Sequence, residues 1–317
     1  MTQEHRDNRG LALACVLVAI GLASTQDAVT KAMSGSYSAY ETVIFRCLGA
    51  MPVLAVLWWK QGSVGQFMTP LLGRVILRSL ILCAAYFAFV LSIAAMPIAN
   101  SVAIYFTMPF FVAALAGPML GERVRLHRWL AIIAGFIGVL IMIRPGASVF
   151  EPAALLALFS AFGYAFGQMM GRPIARVVPP VVIANWQNLI YLAVAAAMAI
   201  VFNVFDWSGL EHKSMVFLSR PWVAPPLIDL AVLTANGLLA AFAMVLFVSA
   251  YKYGESNFVA PFEYSSMIWA IGYGLLLFND FPDKYTWIGA AVVVTAGLLM
   301  LWRDRRIDRM VAAQGAS

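Results

Sequence analysis

The stretch MPFFVAALAGPMLGERVRLHRWLAIIAGFIGVLIMIRPG (residues 108–146) consists of two apolar segments joined by a short basic turn. The turn holds Glu122, Arg123, Arg125 and Arg128, whereas no charged residue occurs in 108–120 or 129–143. A helix needs about 20 apolar residues to cross the hydrocarbon core of a bilayer. The apolar runs 98–118 and 127–143 are close to that length, so the stretch predicts a hairpin of two membrane-spanning helices.

The composition of the whole chain is that of a membrane protein. Of its 317 residues, 62% are hydrophobic and only 11% are charged, whereas a soluble domain carries about 25% charged residues. The formal net charge is +6, but the basic residues are scattered singly at helix ends, which argues against nucleic-acid binding. Cys15, Cys47 and Cys83 lie in apolar runs without CxxC spacing, so we expect no metal site and no disulfide framework.

Ten apolar segments predict ten spans: 10–33, 39–59, 72–95, 98–118, 127–143, 150–170, 181–204, 226–251, 256–278 and 284–302. On the side of the two chain ends lie 15 lysines and arginines, Arg78 among them, against 5 on the opposite side, with Arg46 inside a span. Because basic loops stay in the cytoplasm, we expect a multi-pass protein of the bacterial cytoplasmic (inner) membrane with both termini inside. Residues 303–317 would form a cytoplasmic tail.

The second half of the chain resembles the first. An offset of 157 residues places Asn100 on Asn257 and Val102 on Val259, and an offset of 142 places Gln26 on Gln168. Each half would hold five spans, and because five is odd, the second copy must enter the membrane upside down. Inverted repeats are an architecture of transporters, with the substrate site near the membrane midplane between the copies.

A family resemblance rests on residues 108–146 and on their counterpart in 260–290, APFEYSSMIWAIGYGLLLFNDFPDKYTWIGA. Both resemble the EamA repeat of the drug/metabolite transporter superfamily, in which a proline opens a helix and an LGE-type turn precedes a Gly-rich last helix. Leu120-Gly121-Glu122 fits that turn, whereas Asn279-Asp280 replaces Gly-Glu in the second copy. The resemblance implies an all-α integral membrane protein, with inverted five-helix repeats at 10–143 and 150–302 around a central cavity.

The same resemblance implies transport of small organic solutes. The Asp27…Lys31 and Glu41…Arg46 elements look most like the branch that contains S-adenosylmethionine uptake transporters. Family members handle amino acids, amines, riboflavin, S-adenosylmethionine, sugars and drugs, so the resemblance leaves the solute open. The partners it implies are the solute, the lipid bilayer and a coupling proton or counter-solute, for a monomer or a homodimer.

Four ionisable residues of the first two predicted spans lie at two depths in the membrane. Asp27 lies roughly 9 Å and Arg46 roughly 10 Å below the ends of their helices at 1.5 Å per residue, while Lys31 and Glu41 lie near the surface. One interpretation is a ladder of structural ion pairs, Asp27 with Arg46 and Lys31 with Glu41. The other is that Asp27 or Arg46 binds a charged part of the solute, since arginine can grip a carboxylate through two parallel hydrogen bonds.

Glu263 lies inside the ninth predicted span, two residues after Pro261. Because a charge at membrane depth is costly, such an acid usually serves a proton relay or a ligand. Polar and aromatic residues of the other spans complete the candidate binding site, each with helix–helix or lipid contact as its alternative role. They are Tyr86, Tyr105, Tyr164, Gln168, Gln187, Asn188, Asn236, Tyr264 and Trp269.

The sequence therefore predicts a secondary transporter that moves a small organic metabolite, such as an amino acid, an amine or a related amphipathic solute, by alternating access. A carrier of S-adenosylmethionine, riboflavin or drugs with the same fold is the first alternative, and a channel or a non-transporting membrane protein is the second. We do not expect an enzyme, since no histidine lies at membrane depth and HExxH and GxSxG are absent. No nucleotide motif of the type GxxxxGK[ST] is present either, and we expect no cofactor.

Overall fold

A computed structural model of the chain describes residues 9–61, 67–120, 126–144, 151–205, 207, 209–253 and 259–314. These residues form helices and the connections between them. The first half contains α1 (Arg9–Met33), α2 (Ala39–Gln61), α3 (Leu72–Ala95), α4 (Ile98–Tyr105), α5 (Met108–Leu120) and α6 (Leu126–Ile143). The second half contains α7 (Ala153–Ile174), α8 (Pro180–Val204), the short α9 (Lys213–Ser219), α10 (Leu227–Tyr253), a 3-10 helix (Ala260–Ser265), α11 (Ser266–Phe278) and α12 (Lys284–Gln314).

Nine of the ten predicted spans are long and apolar enough to cross a membrane within the described residues. Large apolar side chains cover much of the outside, among them Leu276 at 83% exposure, Leu227 at 81% and Trp59 at 78%. Water would not favour such a surface, but the acyl chains of a bilayer cover it without cost. The chain is thus an all-α, multi-pass membrane protein.

Two of the predicted spans are interrupted instead of continuous. In 98–118, α4 ends at Tyr105 and α5 begins at Met108, because Pro109 has no N–H to continue the helical hydrogen bonds. In 256–278, residues 256–258 lie outside the description, and the 3-10 helix Ala260–Ser265, which contains Pro261, leads into the 13-residue α11. Both interruptions occur at a proline, in the fourth span of each half.

The helix contacts reproduce the repeat. Helix α1 packs on α10 and α7 packs on α3, while α2 packs on α8 and α6 on α12. Exchanging the two halves, α1 with α7, α2 with α8, α3 with α10 and α6 with α12, converts the first two contacts into each other and leaves the other two unchanged. The bundle therefore has the internal two-fold relation of inverted repeats.

Small residues allow the close contact between α7 and α3. Three glycines of α7, spaced as GxxxGxxxG, face α3. A Cβ atom added at Gly163, Gly167 or Gly171 would meet Ala85, Leu82 or Arg78, respectively. The missing side chains therefore let α3 pack tightly against this face of α7.

The bundle has two ends, which we name by their residues. The end where α1 begins and α12 finishes is the terminal face, and the end with Lys31, Met96 and Asp280 is the Lys31 face. At the Lys31 face, the Lys31 ammonium donates to Asp280 Oδ2 at 2.6 Å and to the Met96 carbonyl at 3.0 Å. This contact joins the two repeats, because Lys31 belongs to the first and Asp280 to the second.

Candidate functional site

Asp27 and Arg46 lie in the interior of the bundle, on α1 and α2. The two charges are within electrostatic range, but no salt bridge joins them in the described part of the chain. The Arg46 guanidinium lies over the Tyr86 ring, 4.6 Å from its centroid, and its buried Nε has no hydrogen-bond partner among the described residues. The predicted contact pair of the deeper level is therefore absent, and the arginine is held by an aromatic face.

The expected pair of the outer level is also replaced. Lys31 binds Asp280, as described above, and its ammonium lies 5.0 Å from the centroid of the Phe278 ring. Glu41 is fully buried and accepts hydrogen bonds from Ser38 N, Ser38 Oγ and Val223 N at 2.7–2.8 Å. Sequential helices suggested Lys31 with Glu41, but Lys31 pairs with the distant Asp280, and Glu41 binds the neighbouring Ser38 and the distant Val223.

Four tyrosines from both repeats cluster between the helices. The Tyr105 and Tyr164 rings meet edge to face with centroids 5.8 Å apart, and the Tyr86 and Tyr191 rings are 5.7 Å apart. Tyr86 and Tyr105 belong to α3 and α4 of the first repeat, whereas Tyr164 and Tyr191 belong to α7 and α8 of the second. Tyr191 was missing from the prediction, although its position on the apolar α8 resembles that of the others.

The tyrosine cluster and the two charges share one region of the interior. Arg46 is within electrostatic range of Asp27 and Tyr86, and Tyr105 is within range of Asp27 and Tyr164. Each of these five side chains keeps part of its surface accessible. Acid, base and aromatic groups of both repeats therefore meet between the helices, where the family resemblance implies a central cavity.

Glu263 lies in the 3-10 helix Ala260–Ser265 and is partly exposed. It is within electrostatic range of Tyr105 and Tyr164, so it belongs to the same cluster. The Tyr264 and Phe106 rings lie with centroids 4.9 Å apart, and the part of the chain that the structure describes offers the buried Tyr264 hydroxyl no hydrogen-bond partner. A buried hydroxyl without a partner is unusual and costs free energy.

The remaining predicted residues divide by their contacts. Asn188 donates to the Cys47 carbonyl at 3.1 Å and so connects α8 to α2. Asn236 donates to Thr30 Oγ1 at 3.2 Å and so connects α10 to α1. Gln168 is exposed and donates to the Tyr164 hydroxyl at 3.2 Å. Trp269 is 43% exposed, and its ring stacks on Tyr273, which is not one of the four tyrosines of the cluster.

One arginine was placed wrongly by the sequence analysis. Arg78 was counted with the basic residues of the cytoplasmic side. Its side chain is only 9% exposed, and it extends from α3 to residues of α7 and α8. Its Nε donates to the Gly167 carbonyl at 3.1 Å, Nη1 to Gln187 Oε1 at 3.1 Å and Nη2 to Gln168 Oε1 at 3.4 Å. Arg78 lies six residues after the start of the predicted span 72–95, and this position could have indicated that the arginine is inside the bundle.

Comparison with known proteins agrees with this architecture. A sequence profile of the EamA-like transporter family matches residues 9–144 and 151–302. The chain belongs to the EamA-like transporter family. The two segments that the profile matches are the two halves related by the helix contacts described above.

The names of several similar proteins state what they transport. A riboflavin transporter of Rhizobium johnstonii is 26% identical over 276 residues, covering 83% of this chain and 85% of the relative. An S-adenosylmethionine uptake transporter of Rickettsia prowazekii is 23% identical over 292 residues, covering 92% of each chain. A pseudopaline exporter of Pseudomonas aeruginosa is 26% identical over 279 residues, covering 86% and 89%.

A solved crystal structure of another protein shares the fold of this EamA-like chain. It superposes with a TM-score of 0.64 over 93% of this chain and 98% of its own, at 19% sequence identity. At that identity the likeness shows the fold alone.

The Lys31 face of this EamA-like transporter contains a small cavity of about 160 Å³. Its lining includes Met96, Asn100, Ile104, Arg144 and Glu151, so it is separate from the tyrosine cluster. A ligand site for a metabolite or drug usually encloses about 300–1,000 Å³. We therefore place the candidate site at the tyrosine cluster, where charged and aromatic groups of both repeats meet, and not at this cavity.

Proposed function

We propose that this EamA-like transporter is a secondary transporter that moves a small organic metabolite across the cytoplasmic membrane by alternating access. The observation that carries the proposal is the cluster of Asp27, Arg46 and the tyrosines between the repeats. In inverted-repeat carriers, a midplane site between the repeats is exposed to one side at a time as they rock.

The chemistry of the cluster favours a solute with a flat ring and a charged group. Tyrosine faces stack on rings and attract cations, while arginine binds anions. The relatives' names make riboflavin and S-adenosylmethionine the first solutes to examine. Because those names include uptake and export, we leave the direction of transport to measurement.

The Lys31 face would be the closed end in the described conformation. The Lys31–Asp280 contact joins the repeats there, and Arg220 Nη1 donates to the Ser34 carbonyl at 2.9 Å and the Tyr37 carbonyl at 3.1 Å. Opening this face requires that the contacts between repeats break. In a transporter, such contacts would alternate with a matching set at the terminal face.

We propose further that the terminal face is cytoplasmic, in the inner membrane of a bacterium, since it carries most of the lysines and arginines. A green fluorescent protein fused after Ser317 should then fluoresce, and alkaline phosphatase fused at the same place should be inactive. The opposite result would reverse the orientation without affecting the fold.

The function is tested by counterflow in proteoliposomes. Purified protein is reconstituted with unlabelled riboflavin or S-adenosylmethionine inside, and entry of the labelled solute is followed. We expect saturable exchange of at least one solute, and Tyr164→Ala should lower it at least about tenfold if one stacked ring is lost from the site. Flux that does not saturate would indicate a channel, and no flux of any metabolite in a wide panel would contradict a carrier.

A further inference from the structure

The charge of Arg78 has no counter-charge among the described residues. Its three hydrogen-bond acceptors, the Gly167 carbonyl and the side chains of Gln168 and Gln187, are all neutral. Arg46 differs, because the carboxylate of Asp27 lies within its electrostatic range. The described part of the bundle therefore contains one interior arginine balanced by an acid and one that neutral groups alone surround.

Neutral partners do not explain why this position holds an arginine. A charge removed from water costs several kcal/mol unless an opposite charge or excellent hydrogen bonding compensates it. An uncharged side chain could donate to the Gly167 carbonyl without that cost. The positive charge itself is thus the property that calls for a function.

The neighbouring helix is built around the guanidinium. A Cβ atom at Gly171 would lie 2.8 Å from Arg78 Nε, so the absence of a side chain at Gly171 provides the space that the guanidinium fills. A guanidinium has five N–H groups, of which three donate to the acceptors named above. Two N–H groups, one each on Nη1 and Nη2, remain to bind another acceptor.

Arg78 also lies next to the candidate site. It is within electrostatic range of Tyr164 and Tyr191, and Tyr191 is in turn within range of Arg46. Nη2 approaches Gln168, whose side chain is exposed. A solute moving from the tyrosine cluster toward the terminal face would therefore encounter a second arginine on that side.

We propose that Arg78 is a specificity-determining residue that binds a carboxylate of the transported solute on the terminal-face side of the tyrosine cluster. The proposal rests on the transport function proposed above and narrows its substrate class to solutes that carry a carboxylate beside a ring or a cationic group. An amino-acid conjugate such as S-adenosylmethionine belongs to this class, whereas riboflavin, which has no carboxylate, does not.

The proposed role of Arg78 is tested by equilibrium binding of solutes to the purified protein, which does not depend on transport. The probes are pairs that differ by one carboxylate: S-adenosylmethionine with decarboxylated S-adenosylmethionine, tryptophan with tryptamine, and nicotinate with nicotinamide. We expect the carboxylate member of at least one pair to bind at least about tenfold more tightly, as a charged hydrogen bond predicts. Arg78→Gln should remove that difference, and Arg78→Lys should keep part of it.

Arg74→Gln is the matched control, because Arg74 lies one turn earlier on α3 and is exposed. It should leave the difference within each pair unchanged, and the unfolding midpoint of each variant in detergent verifies folding. The proposal is overturned if no carboxylate is preferred in any pair, or if Arg78→Gln keeps the preference. Should counterflow succeed while this preference is absent, the transport function stands and only the role of Arg78 is lost.

Discussion

At the scale of single residues, the environment of each ionisable group decides its role. Glu41 satisfies its oxygens with the backbone and Ser38, which makes it a fixed structural acceptor. Arg46 instead lies over the Tyr86 ring, and among the described residues its Nε has no hydrogen-bond partner. A group of the first kind holds a connection in place, whereas we propose that a group of the second kind binds the solute.

Glu263 gives a prediction about how solute uptake is coupled to a proton gradient. A carboxylate close to the tyrosine cluster can take up and release a proton during the transport cycle, whereas an amide cannot. We expect Glu263→Gln to lower uptake driven by a proton gradient at least about tenfold, the usual scale of a lost acid–base group. Uptake is measured in proteoliposomes with an imposed pH gradient, and counterflow at equal pH should persist.

Glu211→Gln serves as the control, since Glu211 is exposed in the connection between α8 and α10. It should behave as the unchanged protein does in both assays. Gradient-driven uptake that is equal in Glu263→Gln and the unchanged protein would exclude Glu263 as the coupling group.

Asp283 gives a prediction about pH, at the start of α12 outside the spans. Burial alone would raise the pKa of Asp283, but hydrogen bonds from Thr286 and the Arg144 guanidinium outweigh it and hold the pKa below the ordinary value of 3.8. A lowered folded-state pKa means that the carboxylate stabilises the fold above pH 3.8. This contribution is lost as the pH falls through the folded-state pKa.

We therefore expect Asp283→Ala to lower the free energy of unfolding at pH 7 by about 1 kcal/mol or less, since the carboxylate caps α12 but is 40% exposed. Below pH 3.8 the difference between variant and unchanged protein should shrink. Chemical unfolding in detergent at pH 7 and at lower pH measures both values. A difference that grows on acidification would contradict the assigned charge state.

At the scale of helices, contact between backbones fixes the spacing of the bundle. Gly49 on α2 and Gly237 on α10 lie at one crossing, where each faces the backbone of the other helix. A Cβ atom at Gly49 would be 1.9 Å from the Thr234 carbonyl oxygen, and one at Gly237 would be 2.0 Å from the Arg46 carbonyl oxygen. Since backbone cannot rotate away as a side chain can, any substitution must separate the helices.

Gly49→Ala and Gly237→Ala should each cost at least about 2 kcal/mol of stability, as overpacking of a tight interior does. Gly272→Ala on α11 is the control, because no atom of the described residues lies within 4 Å of a Cβ added there. Unfolding midpoints in detergent compare the three variants. If Gly49→Ala unfolds at the same midpoint as Gly272→Ala, α2 and α10 are not in close contact.

At the scale of the whole molecule, polar contacts between the repeats matter for the alternating access proposed above. The Lys31–Asp280 pair joins α1 to the connection between α11 and α12, at the Lys31 face. A carrier that alternates must form and break such contacts in each cycle. We therefore expect the strength of this pair to affect the rate of exchange more than the stability of either repeat.

Reversing one charge tests this balance. Asp280→Lys places two ammonium groups together, so we expect counterflow to slow about tenfold, the scale of one lost charged hydrogen bond. The double variant Lys31→Asp with Asp280→Lys restores the attraction in reverse and should recover most of the rate. A double variant as slow as Asp280→Lys alone would show that the pair does not control the cycle.

The membrane environment, the approximate spans and the inverted repeat follow from the sequence, because hydropathy and helix length are local properties. The sequence also singled out Asp27, Arg46 and Glu263 by their depth. Which groups meet follows only from the folded bundle: Lys31 with Asp280, Arg46 with Tyr86, and Arg78 with Gly167 and two glutamines. Such partners are distant in sequence, and the packing of glycine-lined helices, which no local pattern encodes, brings them together.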